Sequence, residues 1–313
     1  MTLDDWLRSA RTRIDGRDAQ VLAAHALGCD RAGLIARGRE QLAEPAVVAL
    51  DALLERRAAG EPVAYLVGRR EFFGLDLAVA PGVLIPRPDT ELLVELALAR
   101  IRDLDAPRVL DAGTGSGAIA LAIKANCPQA QVTALDRSDV ALQIARGNAQ
   151  RLGLEIAFIA SNWLEGMTGH EFDCIVSNPP YIRVGDEHLA QGDLRFEPEA
   201  ALIGGADGLD DLRRLCGSAP ERIVPGGWLL CEHGHDQAPA VRALERHNAT
   251  TVHLPGLDTT FTRLQEEGSL YAHDPIVAAQ QGQARREDLV ARVRERRDEV
   301  ERLIVSIGRV PNT

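Results

Sequence analysis

The period of the hydrophobic positions changes along this chain, and each change marks a different kind of structure. In residues 1–68, Trp6, Leu7 and Ile14, then Val21, Leu22 and Leu27, then Val47, Leu50, Leu53 and Leu54 recur at helical spacing. Gly16, Gly28, Gly33 and Gly60-Glu61-Pro62 punctuate them, so this stretch predicts a bundle of short amphipathic helices. Over 69–85 the period drops to two. Phe72, Phe73, Leu75, Leu77, Val79, Val83 and Ile85 alternate around Gly74 and Pro81-Gly82, which predicts a β-hairpin linker. Pro86 to Glu91 then opens a helix through Ala99, with Asp89 or Thr90 as N-cap.

From about 106 the pattern becomes strand, helix, strand, helix. Strands are predicted near 108–111, 131–135, 155–160, 172–177 and 227–232, with helices near 117–126, 138–152, 209–222 and 236–247. Such alternation predicts an α/β fold, a doubly wound and mostly parallel sheet. The last segment differs again. Residues 285–302 interleave seven arginines with six acids, and Leu289, Val293, Val300, Leu303 and Ile307 form one narrow apolar seam. That is a charged helix, which can pack on its own domain, pair with a second chain or stand in solvent, and packing on its own domain is the expectation.

Composition narrows the setting without changing this layout. The 313 residues suit two domains. A hydrophobic share of 45% supplies a substantial core, and 26% charged residues with no membrane-length apolar run predict a soluble protein. The N-terminus lacks a basic segment and an apolar core, so no secretory signal is expected. Five scattered cysteines without paired spacing predict small buried thiols in a reducing cytosol. The net charge of −11 argues against a nucleic-acid backbone as partner. Lys124, the only lysine, lies on the helix after a glycine-rich turn and reads as a surface residue.

The candidate chemistry sits after two of the predicted strands. Asp111-Ala-Gly113-Thr114-Gly115-Ser116-Gly117 follows the first strand of the sheet, and its glycines allow a tight turn and close approach of backbone to a ligand. Asp136 closes the next strand, where a carboxylate meets a ribose hydroxyl pair. The spacing is GxGxG rather than the dinucleotide GxGxxG, and Asp111 suits a positive amino group better than a pyrophosphate. Both points favour S-adenosylmethionine over NAD. Asn178-Pro179-Pro180-Tyr181 follows the strand at 172–177. The Asn178 oxygen and the Pro179 carbonyl can each accept a hydrogen from a planar NH2 group, Tyr181 can cover its face, and the prolines hold both acceptors in place. A proline turn capping a strand explains the same four residues. Together the two motifs point to methyl transfer to nitrogen.

Other residues read more plainly. Cys231, Glu232, His233 and His235 lie close in sequence, but no further His/Cys cluster accompanies them, and no metal is expected. Glu197 and Glu199 read as residues of a solvated loop, and Trp228 as a core side chain.

GxGxG followed by NPPY, after a small helical domain and a hairpin ending in Pro86-Arg-Pro-Asp-Thr-Glu91, resembles the glutamine methyltransferases of peptide-chain release factors. The likeness covers roughly residues 1–250 and extends to Glu61–Tyr65, Arg70–Gly74, Gln191–Pro198 and Glu232-His-Gly234. The resemblance implies a class I S-adenosylmethionine-dependent methyltransferase, Rossmann-like, with a small N-terminal helical-bundle domain joined by a β-hairpin. It implies a cytoplasmic enzyme that methylates the glutamine amide of a release factor's Gly-Gly-Gln loop, releasing S-adenosylhomocysteine. Gly113, Thr114, Gly115, Ser116 and Gly117 would line the donor, Asp136 would hold its ribose, Trp163 would lie against the adenine, and Asn178 to Tyr181 would hold the glutamine. Asn162 stands where many relatives carry Asp; its oxygen can still accept from the adenine amino group, without charge assistance. The expected organisation is a docking domain over 1–68, the linker over 69–90, the methyltransferase domain over 91–274 and a charged tail over 275–313. A basic pair expected in the last hairpin is missing from 253–265. The expected partners are class 1 release factors, with no nucleic acid and no membrane, and the chain is expected to be a monomer. The rival readings are a glutamine methyltransferase of a ribosomal protein, an adenine-amino DNA methyltransferase, and a silent binder.

Overall fold

The computed structural model describes residues 1–244. The 253–265 segment, the tail over 275–313 and the end of the helix expected at 236–247 lie outside the described residues. Five helices build the N-terminal lobe: α1 (Leu3–Ala10), α2 (Gly16–Leu27), α3 (Arg31–Ala36), α4 (Glu44–Ala58) and α5 (Val63–Val67). Three of them begin on a side-chain cap, from Thr2, Asp15 and Asp30. Gly28 and Gly68 end α2 and α5 in the left-handed conformation. Leu3, Trp6, Ala19, Leu50 and Leu54 form this lobe's core, and Trp6 Nε1 donates to Asp51 across it at 2.8 Å.

The hairpin is shorter than its sequence pattern suggests. β1 (Arg69–Phe72) and β2 (Leu75–Ala78) pair antiparallel, and the chain beyond Ala78 leaves the ladder. Val79, Val83 and Ile85 are buried all the same. They pack with Tyr65 and Ala141 in a small cluster of irregular chain, and Tyr65 donates its hydroxyl to Val83 O at 2.6 Å. An alternating apolar pattern needs only two-sided burial, which a pinned loop also provides.

The helix α6 (Glu91–Ile101) follows a 3₁₀ turn, Pro88–Thr90. Thr90 occupies its N-cap, but its side chain makes no capping bond, and Asp89 lies inside the turn rather than at the cap. The Thr90 hydroxyl is engaged elsewhere, as the site shows.

Among the described residues the α/β lobe holds five parallel strands: β3 (Arg108–Ala112), β4 (Gln131–Asp136), β5 (Ala157–Ala160), β6 (Phe172–Ser177) and β7 (Ile223–Cys231). Their order is β5-β4-β3-β6-β7. Helices α7 (Ala118–Asn126), α8 (Asp139–Leu152), α9 (Asp210–Ser218) and α10 (Ala238–Leu244) complete the described chain. Two apolar layers sandwich the sheet, one including α6 and α7, the other including α9. This is the class I methyltransferase architecture, and its strand order reverses between β3 and β6. Open parallel sheets bind ligands at such a switch point.

β7 begins four residues earlier than expected. Pro225-Gly226-Gly227 reads as a breaker, and Gly226 does turn to φ +82°. The sheet absorbs it as an irregularity: Phe172 pairs with Ile223, and the register resumes with Cys174 opposite Trp228. Trp228 is partly buried against the core, with the Arg100 guanidinium 4.3 Å from its ring centre. Lys124 is anchored rather than free, donating to Pro128 O and Ala130 O at the end of α7. The five cysteines are free thiols, four of them buried. Among the described residues no helix is long and apolar enough to cross a membrane.

Candidate active site

One cleft opens over the carboxyl ends of β3, β4 and β6. Gly113, Thr114, Gly115, Ser116, Asp136, Asn162, Trp163, Asn178 and Pro180 line it, together with Pro86, Arg87 and Thr90. The two motifs therefore meet in one space. Asp111, Gly117, Pro179 and Tyr181, of the same two motifs, are not among its lining residues.

The glycine loop is built largely by its own neighbourhood. Gly113, Gly115 and Gly117 have φ of +78°, +56° and +87°, a region closed to most side chains. The Gly113 and Thr114 amides both donate to Leu135 O at 2.9 Å. Asp136 accepts from Gly115 N with one oxygen and from Ser138 N with the other, each at 2.9 Å. Asp111 is fully buried. Its Oδ2 accepts from Thr114 Oγ1 at 2.6 Å and from Ala120 N at 3.1 Å, locking the loop to the start of α7. Its Oδ1 has no partner among the described residues. Burial pushes this carboxyl up to about 7. A buried, orphaned carboxylate oxygen under a glycine loop suits a cationic ligand group.

Trp163 takes a positive φ of +50°, rare for an aromatic residue. Its Nε1 donates to Asp211 at 2.9 Å, and a side chain on Gly113 would meet its ring at 3.4 Å. The ring thus lies beside the glycine loop, where a flat heterocycle can stack. Asn162 donates its Nδ2 to Glu165 at 2.6 Å. Its Oδ1 is thereby the end left to accept.

The second loop is held from a distance. Asn178 Nδ2 donates to Thr90 Oγ1 at 3.0 Å, Thr90 Oγ1 donates to Glu232 Oε2 at 2.8 Å, and Tyr181 donates its hydroxyl to Glu232 Oε1 at 3.0 Å. Burial pushes the Glu232 carboxyl up, against the acidifying effect of its Thr90, Tyr181 and Asn178 hydrogen bonds. The Tyr181 phenol is likewise pushed up by burial and by Glu232. Gln237 Nε2 donates to Tyr181 O at 2.9 Å. A side chain on Gly204 would stand 2.3 Å from Pro180 O, and one on Gly208 2.3 Å from Tyr181 O. The 204–208 turn presses on the Pro-Pro-Tyr backbone and fixes its path.

Glu197 is not a solvated loop residue. Its side chain is inaccessible, accepting from Ile85 N at 3.0 Å and from the Arg87 guanidinium. The chain around it therefore closes over the Pro86–Glu91 segment. The same segment reaches the N-terminal lobe: Arg57 pairs with Asp18 and with Asp193, and Arg195 donates to Ala59 O at 2.6 Å. Thr90, Glu232 and Glu197 are the residues whose place in the site residue patterns miss. Capping and solvated-loop readings fit their types, and their partners lie 51 to 142 residues away. The signal available for them was the recurrence of their segments in the family likeness.

His233 Nδ1 lies 2.8 Å from Gly234 O. Among the described residues no group of three or more His, Cys, Asp or Glu side chains is arranged to hold a metal ion.

The family model described as PrmC N-terminal domain matches residues 5–68, and the one described as methyltransferase small domain matches residues 88–194. The chain is 56% identical to the release factor glutamine methyltransferase of Xylella fastidiosa (strain Temecula1 / ATCC 700964), over 76% of this chain and 87% of that protein. It is 54% identical to the protein of that name from Bordetella pertussis, covering 73% and 85% of the two chains. The Escherichia coli K12 protein of that name is 45% identical over 77% and 89%.

Proposed function

The chain belongs to the release factor glutamine methyltransferases, and within that family we propose the reaction, donor and residues as follows. It transfers a methyl group from S-adenosylmethionine to the side-chain amide nitrogen of the glutamine in the Gly-Gly-Gln loop of class 1 release factors. The observation that carries this reading is the convergence of the glycine loop with Asn178 and Pro180 on one cleft at the switch point.

The residues present fit the donor. The Asp111 carboxyl beneath the glycine loop supplies a negative charge suited to its ammonium, the Asp136 carboxylate suits its ribose hydroxyls, and the Trp163 ring with Asn162 Oδ1 suits its adenine. Asp136 already accepts from two backbone amides, and its remaining lone pairs are free for hydroxyl donors. When bound, S-adenosylmethionine supplies an electrophilic methyl group on a sulfonium.

The protein's contribution is position. A carboxamide nitrogen is a weak nucleophile because its lone pair is delocalised into the carbonyl. Asn178 Oδ1 and the Pro179 carbonyl accept its two hydrogens in fixed directions, favouring a more pyramidal nitrogen whose lone pair is aimed at the methyl carbon. Alkylation makes the nitrogen acidic, so its proton leaves to water without a dedicated base. The helical lobe over 1–68 serves as the docking module for the release factor, continuous with the cleft through Arg57, Asp193 and Arg195.

The test is transfer of radiolabelled methyl groups to four substrates: a release factor, its loop Gln→Ala variant, ribosomal protein and duplex DNA. Label on the intact release factor and not on its variant is expected. Label on ribosomal protein or DNA alone would overturn the substrate assignment while leaving the donor site in place.

A further inference from the structure

The network behind Asn178 carries information about direction. A side-chain amide is nearly symmetric in shape, yet its two ends are opposite in chemistry: one donates and the other accepts. A wrongly turned Asn178 would fill the same space and present NH2 to the cleft. Something must therefore decide which end faces the substrate. The Pro-Pro backbone fixes the position of the side chain but not this choice.

The hydrogen-bond sequence decides it. Glu232 accepts from both hydroxyls, so Tyr181 and Thr90 each direct their single proton to it, at 3.0 and 2.8 Å. Thr90 Oγ1 then has only lone pairs left for Asn178. It lies 3.0 Å from Nδ2, and an amide oxygen turned toward it would face a second acceptor. That neighbour demands the NH2 end, leaving Oδ1 for the cleft.

We propose that Glu232 and Thr90 are positioning residues that set the direction of the Asn178 amide, and thereby make the site select a carboxamide over a carboxylate. The inference rests on the glutamine-methylating reading above and adds a specificity-determining element to it. The acceptor pair formed by Asn178 Oδ1 and Pro179 O attracts an NH2 group and repels the otherwise isosteric carboxylate of a glutamate. If the amide turned over, half of that discrimination would invert.

The test uses the full chain with Thr90→Val, Thr90→Ser and Glu232→Gln. Three quantities are measured: kcat and KM with a release factor, inhibition by the same factor carrying Glu in place of the loop Gln, and affinity for S-adenosylhomocysteine by calorimetry. Thr90→Val removes the relay at nearly constant volume. It is expected to lower kcat by about 30-fold, somewhat less than loss of a preorganised polar group that contacts the reacting atoms. Inhibition by the Glu-bearing factor should strengthen about tenfold relative to KM, since the rejection of a mismatched polar group is what the variant removes. Thr90→Ser restores the hydroxyl and should return both values to within about threefold of the parent. Affinity for S-adenosylhomocysteine should stay within about twofold in all three, as the glycine loop does not depend on this network.

Unchanged discrimination between Gln and Glu in Thr90→Val would overturn the proposal. So would an equal loss in Thr90→Ser and Thr90→Val, or a matching loss of S-adenosylhomocysteine affinity. If Thr90→Val does not fold, Glu232→Gln decides: its own NH2 must be directed at Thr90, Tyr181 or Asn178, so weakened discrimination supports the relay and intact discrimination overturns it. Absence of any transfer to release factor by the parent protein would instead overturn the functional reading itself.

Discussion

The two loops that meet in the cleft are stabilised in opposite ways. The glycine loop after β3 draws its support from nearby in sequence, with Asp111 bonding Thr114 and Ala120, and Asp136 bonding Gly115. The Asn178–Tyr181 loop after β6 draws its support from Thr90 on the turn before α6 and Glu232 beyond β7, at separations of 88 and 51 residues. Backbone amides and a buried carboxylate shape the first. Side chains from distant segments shape the second. A donor site can therefore form wherever strand, loop and helix form, whereas the acceptor site exists only after the whole sheet and its flanking segments have assembled. Separate assembly also means that the two functions should be separable by mutation.

The sharpest separation is at Asn178 itself. Asn178→Ala should lower turnover by at least about 100-fold, the scale of losing one preorganised polar group at the reacting centre. S-Adenosylhomocysteine affinity should stay close to that of the parent. Near-normal turnover in a folded variant would remove Asn178 from the reaction.

A matched pair of glycine substitutions probes the same contrast at lower amplitude. A side chain on Gly204 would approach Pro180 O at 2.3 Å and Gly208 O at 2.7 Å, both backbone atoms that must move. Gly204→Ala should cost about tenfold in turnover, since small misplacements of a positioned group are enough for that. Gly113→Ala forces a side chain to φ +78° and against the Trp163 ring, so it should weaken donor binding instead. Titration calorimetry with S-adenosylhomocysteine beside steady-state kinetics distinguishes the two. Equal effects on both parameters in both variants would mean that the loops are one unit after all.

This contrast also explains what could be read before the fold was known. Local rules place the glycine loop, Asp136 and the strands that carry them, because turn chemistry and hydrophobic period act over a few residues. Asn178 to Tyr181 is legible as a motif for the same reason. Thr90 and Glu197 are not, since a threonine at a helix start and a glutamate near prolines have ordinary local explanations that only tertiary contacts displace. Ile85 and Val83 look like strand residues although they lie in pinned coil, because alternation reports burial rather than hydrogen bonding. Asp111 was legible as part of the donor motif, while its location beneath the loop, rather than on the cleft surface, was not.

The Arg87–Glu197 pair joins the acceptor loop's supporting segments and should matter for stability more than for donor binding. Arg87→Ala would leave a buried carboxylate with only the Ile85 amide as partner. A loss of about 2 kcal/mol in denaturant unfolding is expected, below that for a fully buried pair because Arg87 retains some solvent contact. An unchanged unfolding midpoint would show that Glu197 protonates without cost when its partner is removed.

The smallest expected signal is the most specific to the glycine loop. Burial raises the Asp111 carboxyl to about 7, from 3.8. The folded protein therefore binds this proton more tightly than the unfolded chain does. The stabilisation from this group is fully present below 3.8 and is lost as pH rises toward and through about 7. Asp111→Asn, which keeps the shape without the charge, should flatten that part of the melting-temperature profile. Donor binding adds a second sign. An ammonium beside the orphaned Oδ1 favours the carboxylate, so binding at pH 6 should expel the Asp111 proton, and binding at pH 9 should not. Calorimetry in two buffers of different ionisation enthalpy measures the released fraction directly. Proton release at pH 6 in the parent and none in Asp111→Asn would place the donor's cation on this oxygen. Equal release in both proteins would assign the orphaned oxygen to the architecture of the loop alone, and the donor's ammonium to other acceptors of the cleft.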